Sequence, residues 1–272
     1  MLPWPAVAAG ELGRRSGIGV GVRSALARAV PQPAFGAVLR AVYPRIEPEL
    51  ACIADWAPRG GTALDVGVWY GPWTARMGQL AARVVSIEPN PDLARLLRAS
   101  FPAVQVIEAA ASDRTGTARL WLPAGGRGAE GVASLEHRSD RSVEVSRVTI
   151  DSLELADVRF IKMDIEGHEA AALRGAEHTI RRDSPMLLLE LETRHQRIED
   201  VTGLLASWGY RGMVRPGRSW VPLDGFDLAA HQQASLHVAE RGMLGRLALS
   251  WLRPATGRYV NLVRFERVSP AR

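Results

Sequence analysis

The sequence predicts an α/β fold, a Rossmann-like and mostly parallel sheet with helices on both faces. Three features point to it. An apolar stretch over 62–66 runs into Gly67, and a helix then opens at Pro72. A second apolar stretch, Val84-Val-Ser-Ile87, ends on Glu88, 23 residues after Asp65. That is close to the roughly 20-residue offset at which a strand-end acid reaches a ribose diol. Apolar runs then alternate with helical patterns down the chain, as in a parallel sheet covered on both faces.

The elements follow in order. Residues 1–45 are broken by Pro3, Pro5, Pro31, Pro33 and Pro44 and read as an N-terminal arm or lid, with a helical turn or two at Val22–Ala29. The main domain is expected over 46–272. It starts with a helix at Ile46–Trp56, whose Leu50, Ile53, Ala54 and Trp56 give a rough apolar face. Strand one follows at 62–66, a helix opens at Pro72 where proline suits a first turn, and strand two runs over 83–88. Asn90-Pro91 begins a helix to Ser100, and strand three is 104–107. Shorter strands at 118–122 and 143–149 flank a flexible glycine-rich loop, 125–131. Strand four is expected at 159–164, a helix at 168–182, strand five at 186–190, a helix at 196–208 and strand six at 210–214. An irregular insertion occupies 215–257, with a helix at 239–252. Tyr259–Phe265 reads as a last strand that can lie antiparallel.

Composition narrows the function. The chain has 272 residues, 47% hydrophobic and 23% charged, which is ordinary for a globular protein with a sizeable core. The formal charge is +5, but Lys162 is the only lysine among 34 basic residues. The arginines are scattered, and no basic run or zinc-finger pattern marks a nucleic-acid partner. A single cysteine, Cys52, excludes an intramolecular disulfide framework and agrees with a reducing compartment. With no signal-peptide pattern and no apolar stretch long enough to span a bilayer, a cytoplasmic location is expected.

The turn after strand one discriminates among ligands. Dinucleotide sites read G-x-G-x-x-G, so that backbone can press against a pyrophosphate. Here Val68, Trp69 and Tyr70 separate Gly67 from Gly71. A bulky residue replaces the middle glycine, and a ligand without phosphates, such as S-adenosylmethionine, fits better. Asp65 suits its amino group and Glu88 its ribose hydroxyls. A second constellation, Asp164-Ile-Glu166-Gly-His168-Glu169, ends strand four at the switch point where open sheets bind ligands. Structural roles are also open to these residues: Asp164 as a helix cap and Glu169 against the helix dipole.

In order along the chain come Asp-Val-Gly-x-x-x-Gly-x-x-Thr (65–74), Glu-Pro-Asn-Pro (88–91), Ala-Ala-Ser-Asp-Arg-Thr-Gly (110–116), Thr149-Ile-Asp-Ser-Leu and Lys162-Met-Asp-Ile-Glu-Gly-His-Glu169. With Leu173-Arg-Gly-Ala176 and Pro185-Met-Leu-Leu-Leu-Glu190, the sequence resembles the FkbM family of S-adenosylmethionine-dependent methyltransferases over about 60–192. The resemblance implies a class I methyltransferase fold over 46–272, usually built on seven strands. It also implies O-methylation of a hydroxyl on a sugar, glycolipid or natural-product acceptor. Val68 and Trp69 stand where the family usually has Ala and Asn, so no Asn side chain is available there for the cofactor.

On this reading the cofactor-binding candidates are Asp65, Gly67, Gly71, Thr74, Glu88 and Asp113, the last either meeting the adenine amino group or serving only as a turn residue. The catalytic candidates are Asp164, Glu166 and His168, with His168 or Glu166 as base and Asp164 at the cofactor's methyl end. No compact metal motif is present, although carboxylates at 164, 190 and 192 could hold Mg²⁺. Two other classes stay open. An NAD(P)-linked oxidoreductase or epimerase would share the fold, but lacks its glycine pattern and a Tyr-x-x-x-Lys pair here. A non-catalytic module could sit on a membrane surface through 239–253, where arginines interleave with Leu, Met and Trp. The oligomeric state is not indicated.

Overall fold

The structure, a computed structural model, describes residues 30–123, 129–139, 141–239 and 258–268. Its centre is built from short apolar runs whose side chains alternate between two buried faces. Strands β1 (Thr62–Val66), β2 (Arg83–Ile87) and β3 (Gln105–Ile107) lie parallel, and β7 (Val158–Met163) and β8 (Met186–Glu190) continue the sheet on the other side of β1. The last strand, β11 (Leu262–Arg267), inserts antiparallel between β8 and β9 (Tyr210–Val214), as anticipated. The full order is β10 (Val221–Pro222)-β9-β11-β8-β7-β1-β2-β3.

Eight strands form this sheet, not the seven expected, because β10 (Val221–Pro222) pairs with β9 inside the segment read as irregular. The shorter strands β5 (Gly116–Leu122) and β6 (Arg141–Val148) leave the main sheet altogether. They pair antiparallel, and with β4 (Ala110–Ala111) make a separate three-stranded sheet.

Helices cover both faces. On one, Leu64, Val66, Ile161, Met163, Leu187 and Leu189 pack against Leu173, Ile180, Val201 and Leu205. These come from α6 (Glu169–Arg174), α7 (Glu177–Asp183) and α8 (Ile198–Ser207). On the other, Ala63, Val84, Phe160 and Leu188 meet Leu50, Ile53, Trp73 and Met77. Those belong to α2 (Pro48–Ala51), α3 (Ile53–Trp56) and α4 (Pro72–Met77). Near-complete burial of so many aliphatic side chains, at about 25 cal/mol per Å² of apolar surface, is the main force holding the layers together.

Several boundaries differ from the sequence reading, each for a physical reason. The N-terminal prolines do not prevent α1 (Gln32–Val42): Pro31 is its N-cap and Pro33 lies in its first turn, where a missing N–H costs nothing. Its Leu39 and Phe35 pack with Tyr70, Leu93 and Leu96, the last two from α5 (Pro91–Ser100). The helix expected at 46–56 is two short ones, interrupted at Cys52. That expected at 168–182 breaks at Gly175, where a Cβ would lie 1.9 Å from the Ser112 carbonyl oxygen. Asp151 then caps α7, accepting from the His178 and Thr179 amides at 3.0 and 2.8 Å. The insertion carries its described helix, α9, at Leu228–Ala239. The piece expected at 22–29, all but the first residue of the helix expected at 239–252 and of the membrane contact expected at 239–253, and most of the glycine-rich loop lie outside the described residues. Among the described residues no helix is long and apolar enough to cross a membrane.

Candidate active site

A cavity of about 610 Å³ opens at the carboxyl ends of β1, β2, β7 and β8, the edge at which open α/β sheets bind ligands. The two halves of its floor touch at Gly67. This residue has φ of +76°, and a Cβ there would sit 1.8 Å from the carbonyl oxygen of Asp164. Only glycine lets the β1 turn cross the end of β7 so closely.

Glu88 organises the turn. Its Oε2 accepts from the Val68 and Trp69 amides at 3.1 and 2.9 Å, and its Oε1 accepts from the Asn90 amide at 2.9 Å. Burial pushes its carboxyl up to about 7, against three backbone donors that hold it down. Trp69 occupies the left-handed region, with φ of 54°. Its ring meets Tyr43 and Tyr70 edge-on at 5.7 and 5.4 Å and walls one side of the cavity.

Beneath the turn lies a polar row across the sheet. Ser86, Asp65 and Lys162 are register neighbours on β2, β1 and β7. Thr74 reaches down from α4, donating to Asp65 Oδ2 at 2.6 Å and lying 2.9 Å from Ser86 Oγ. Lys162, 3% exposed, donates to the Gly67 carbonyl and to Asp164 Oδ2, both at 3.2 Å, and lies 4.0 Å from Asp65 Oδ1. Burial raises the Asp65 carboxyl to about 6, with the Lys162 charge opposing.

The rim is carboxylate and imidazole. Asp164 is pushed up by burial, but Lys162 and a hydrogen bond with Glu190 outweigh this and leave it below the usual range. Glu190 is held well above that range by burial and by the Asp164 charge, as for two carboxyls sharing one proton. Glu166 Oε2 lies 2.8 Å from His195 Nδ1. The His168 ring spans two partners, with Nδ1 2.6 Å from Glu136 Oε1 and Nε2 3.0 Å from Ser112 Oγ. The loop carrying these groups is pinned from below by Glu169, which accepts from the Ile165 and Gly167 amides at 3.0 and 3.1 Å and from Gln196 Nε2 at 2.5 Å.

Residues 60–211, more than half of the chain, match the model of the methyltransferase FkbM domain. The chain belongs to the FkbM methyltransferase family. Its fold is the class I methyltransferase fold and its cofactor S-adenosylmethionine. Among solved structures it is similar to methyltransferase FkbM from Methylobacillus flagellatus KT, at 18% identity and TM-score 0.44 over 72% of this chain. The match covers 55% of that protein, so the chain spans about half of its length. It is also similar to a TehB-like SAM-dependent methyltransferase from Corynebacterium glutamicum (12% identity, TM-score 0.41, 88% of this chain and 100% of that one). A third similar structure is a Streptococcus mutans protein in complex with SAH (11%, 0.43, 82% and 98%). No curated protein matches the sequence.

The cavity's chemistry fits this family's cofactor. Glu88, Asp164, Glu166, Glu190 and Glu192 all line it. Such a wall attracts the amino and sulfonium charges of S-adenosylmethionine and repels a pyrophosphate. Gly67 itself lines the cavity, so a ligand there lies against the turn. Trp69 and Tyr259 also line the cavity, and the indole N–H of Trp69 is buried and without a hydrogen-bond partner among the described residues.

The structure divides the candidates chosen from sequence. Gly67, Glu88, Asp164, Glu166 and His168 converge on the cavity. Asp65 and Thr74 lie in the polar row below it, and Gly71 packs on Phe101, which a Cβ would approach to 2.6 Å. Asp113 is exposed beside Ser112 and Arg114. For a cation, Asp164, Glu166 and Glu190 bring oxygens within 4.8 Å of one another, with Glu166 where the sequence pointed to Glu192. Lys162 already supplies positive charge to this cluster, and we assign no ion to it. Sequence reasoning passed over Lys162, though it stands in the most specific motif, and over Trp69 as a wall. It also missed His195, five residues beyond Glu190, where the strand-end rule applied to β8 would have found it.

Proposed function

We propose that the chain is an O-methyltransferase acting on a hydroxyl of a sugar, glycolipid or natural-product acceptor. One observation carries this reading: the rim of carboxylates and imidazoles opens onto the same cavity as the Gly67 turn and Glu88. A cofactor seated against that turn leaves the rim free to face an acceptor. S-adenosylmethionine, when bound, supplies an electrophilic methyl group. The protein then has two tasks, to align the acceptor oxygen and to take its proton. Alignment draws on the closed walls, with Trp69 and Tyr43 on one side. Proton removal falls to the rim of carboxylates and imidazoles that Asp164, Glu166 and His168 help to form, because a neutral hydroxyl is a weak nucleophile and a placed base adds roughly 10²–10⁴-fold. Residues 1–45 serve as an arm or lid in this reading, and among the described ones Tyr43 lines the cavity.

The test pairs binding with turnover. Calorimetry should show binding of S-adenosylmethionine and S-adenosylhomocysteine but not NAD, and labelled methyl should pass to a panel of hydroxylated glycosides. Alanine at Asp164, Glu166 or His168 should abolish turnover while sparing cofactor binding in at least one variant. Binding of NAD alone, or full activity in all three variants, overturns the assignment.

A further inference from the structure

Three imidazoles stand around the cavity, and their partners differ. Both ring nitrogens of His168 are engaged, by Glu136 and Ser112. His137 places Nδ1 3.1 Å from Ser134 Oγ. His195 has Nδ1 2.8 Å from Glu166 Oε2, while its Nε2 makes no hydrogen bond among the described residues; its side chain is 22% exposed and lines the cavity. A carboxylate at Nδ1 fixes the proton there and leaves Nε2 with its lone pair, the arrangement of a base held by an orienting acid.

The surroundings hold this pair in place. Glu166 and Gly167 both lie at positive φ, 53° and 96°, which turns the loop back on itself. A Cβ on Gly167 would come 3.0 Å from the His195 carbonyl oxygen, so glycine allows the loop and the turn after β8 to pack together. Gln196, the next residue, is tied to Glu169.

We propose that His195 is the general base of methyl transfer and that Glu166 is its positioning residue; this rests on the hydroxyl acceptor proposed above. His195 Nε2 takes the acceptor's proton as the oxygen–methyl bond forms. The electron pair of the broken sulfur–methyl bond stays with the departing thioether, and the imidazolium returns its proton to water at its exposed edge. The charged and titratable groups facing His195 are Glu166, Asp164, Glu192, Arg194 and His137. Glu166 dominates and holds the imidazole above its usual range.

The experiment uses the full chain with S-adenosylmethionine and alkyl glycosides as acceptors. His195→Gln should lower kcat about 10²–10⁴-fold and leave affinity for S-adenosylhomocysteine within about twofold. Free imidazole should restore part of the activity of His195→Ala. The wild-type rate should rise with pH as His195 loses its proton, and Glu166→Gln should move that limb to lower pH. Histidine NMR of the cofactor-free chain should show the same downward move of the His195 titration. An unmoved titration in Glu166→Gln, an active His195→Gln, or parallel loss of activity and affinity overturns the pair alone. A wild type that binds S-adenosylhomocysteine yet methylates no hydroxyl overturns the acceptor reading, and the base with it.

Discussion

Lys162 and Asp164 form a 3.2 Å ion pair at the floor of the cavity, and the same ammonium reaches the Gly67 carbonyl. One side chain therefore ties the end of β7 to the turn after β1. It also lies 4.0 Å from Asp65 Oδ1, a buried oxygen with no hydrogen bond among the described residues. The carboxylates Asp164, Asp65, Glu47 and Glu190 together hold the ammonium charged despite its burial.

Removing that charge leaves the buried Asp65 and the half-buried Asp164 without their cation. Lys162→Met should cost about 3–5 kcal/mol of unfolding free energy, the range for breaking a buried pair from one side. Urea unfolding measures it. Asp65→Asn combined with Lys162→Met should lose less than the sum of the two single changes, because the second removes a charge the first had orphaned. Additive losses would show that Lys162 does not act through Asp65.

Glu88 is the second point at which the turn is held, and its three backbone partners make a glutamine there a sharp probe. The amide offers one oxygen where the carboxylate offers two, and its NH₂ must face a backbone N–H. Hydrogen bonds to a charged group are worth about 1.5–3 kcal/mol. Glu88→Gln should therefore weaken S-adenosylhomocysteine binding by about 10- to 100-fold in calorimetry. An affinity unchanged from wild type would remove Glu88 from the cofactor site and leave it a turn-holding role only.

The strand-turn-helix unit from Thr62 to Glu88 was legible because its determinants are local: an apolar run, Gly67, Pro72 and a strand-end acid. The antiparallel last strand could likewise be read from apolar alternation and its place in the chain. What escaped depends on distant contacts. Nothing near Gly175, where the helix breaks, says that Ser112 passes 1.9 Å from where a side chain would be. Pro31 and Pro33 look like breakers until α1 is seen to begin on them. In the site, the acids of the Lys162–Glu169 motif could be placed at a strand end by position alone. Asp65 could not be placed below the cavity without its register partners Ser86 and Lys162. His195 carries no motif, and only the fold sets it opposite Glu166.

Stability should fall as pH rises from about 4.5 to about 7. Glu88 and Glu169 are each raised by burial from 4.5 to about 7, and Asp65 from 3.8 to about 6. Across that window the folded chain keeps protons that the unfolded chain has released, so deprotonation favours unfolding. The contribution is complete below the unfolded values and lost once the pH passes the folded ones. Glu88 and Glu169 can each account for up to about 3 kcal/mol. His195, also raised by Glu166, acts in the same direction at the upper end. Asp164, lowered in the fold, gives a term already fully present throughout this range. Urea unfolding across the window should show the decline, and Glu169→Gln should flatten it, since a neutral amide has no proton to lose. A free energy that is level or rises with pH would mean these carboxyls stay ionised in the fold, held by the backbone amides that ring Glu88 and Glu169.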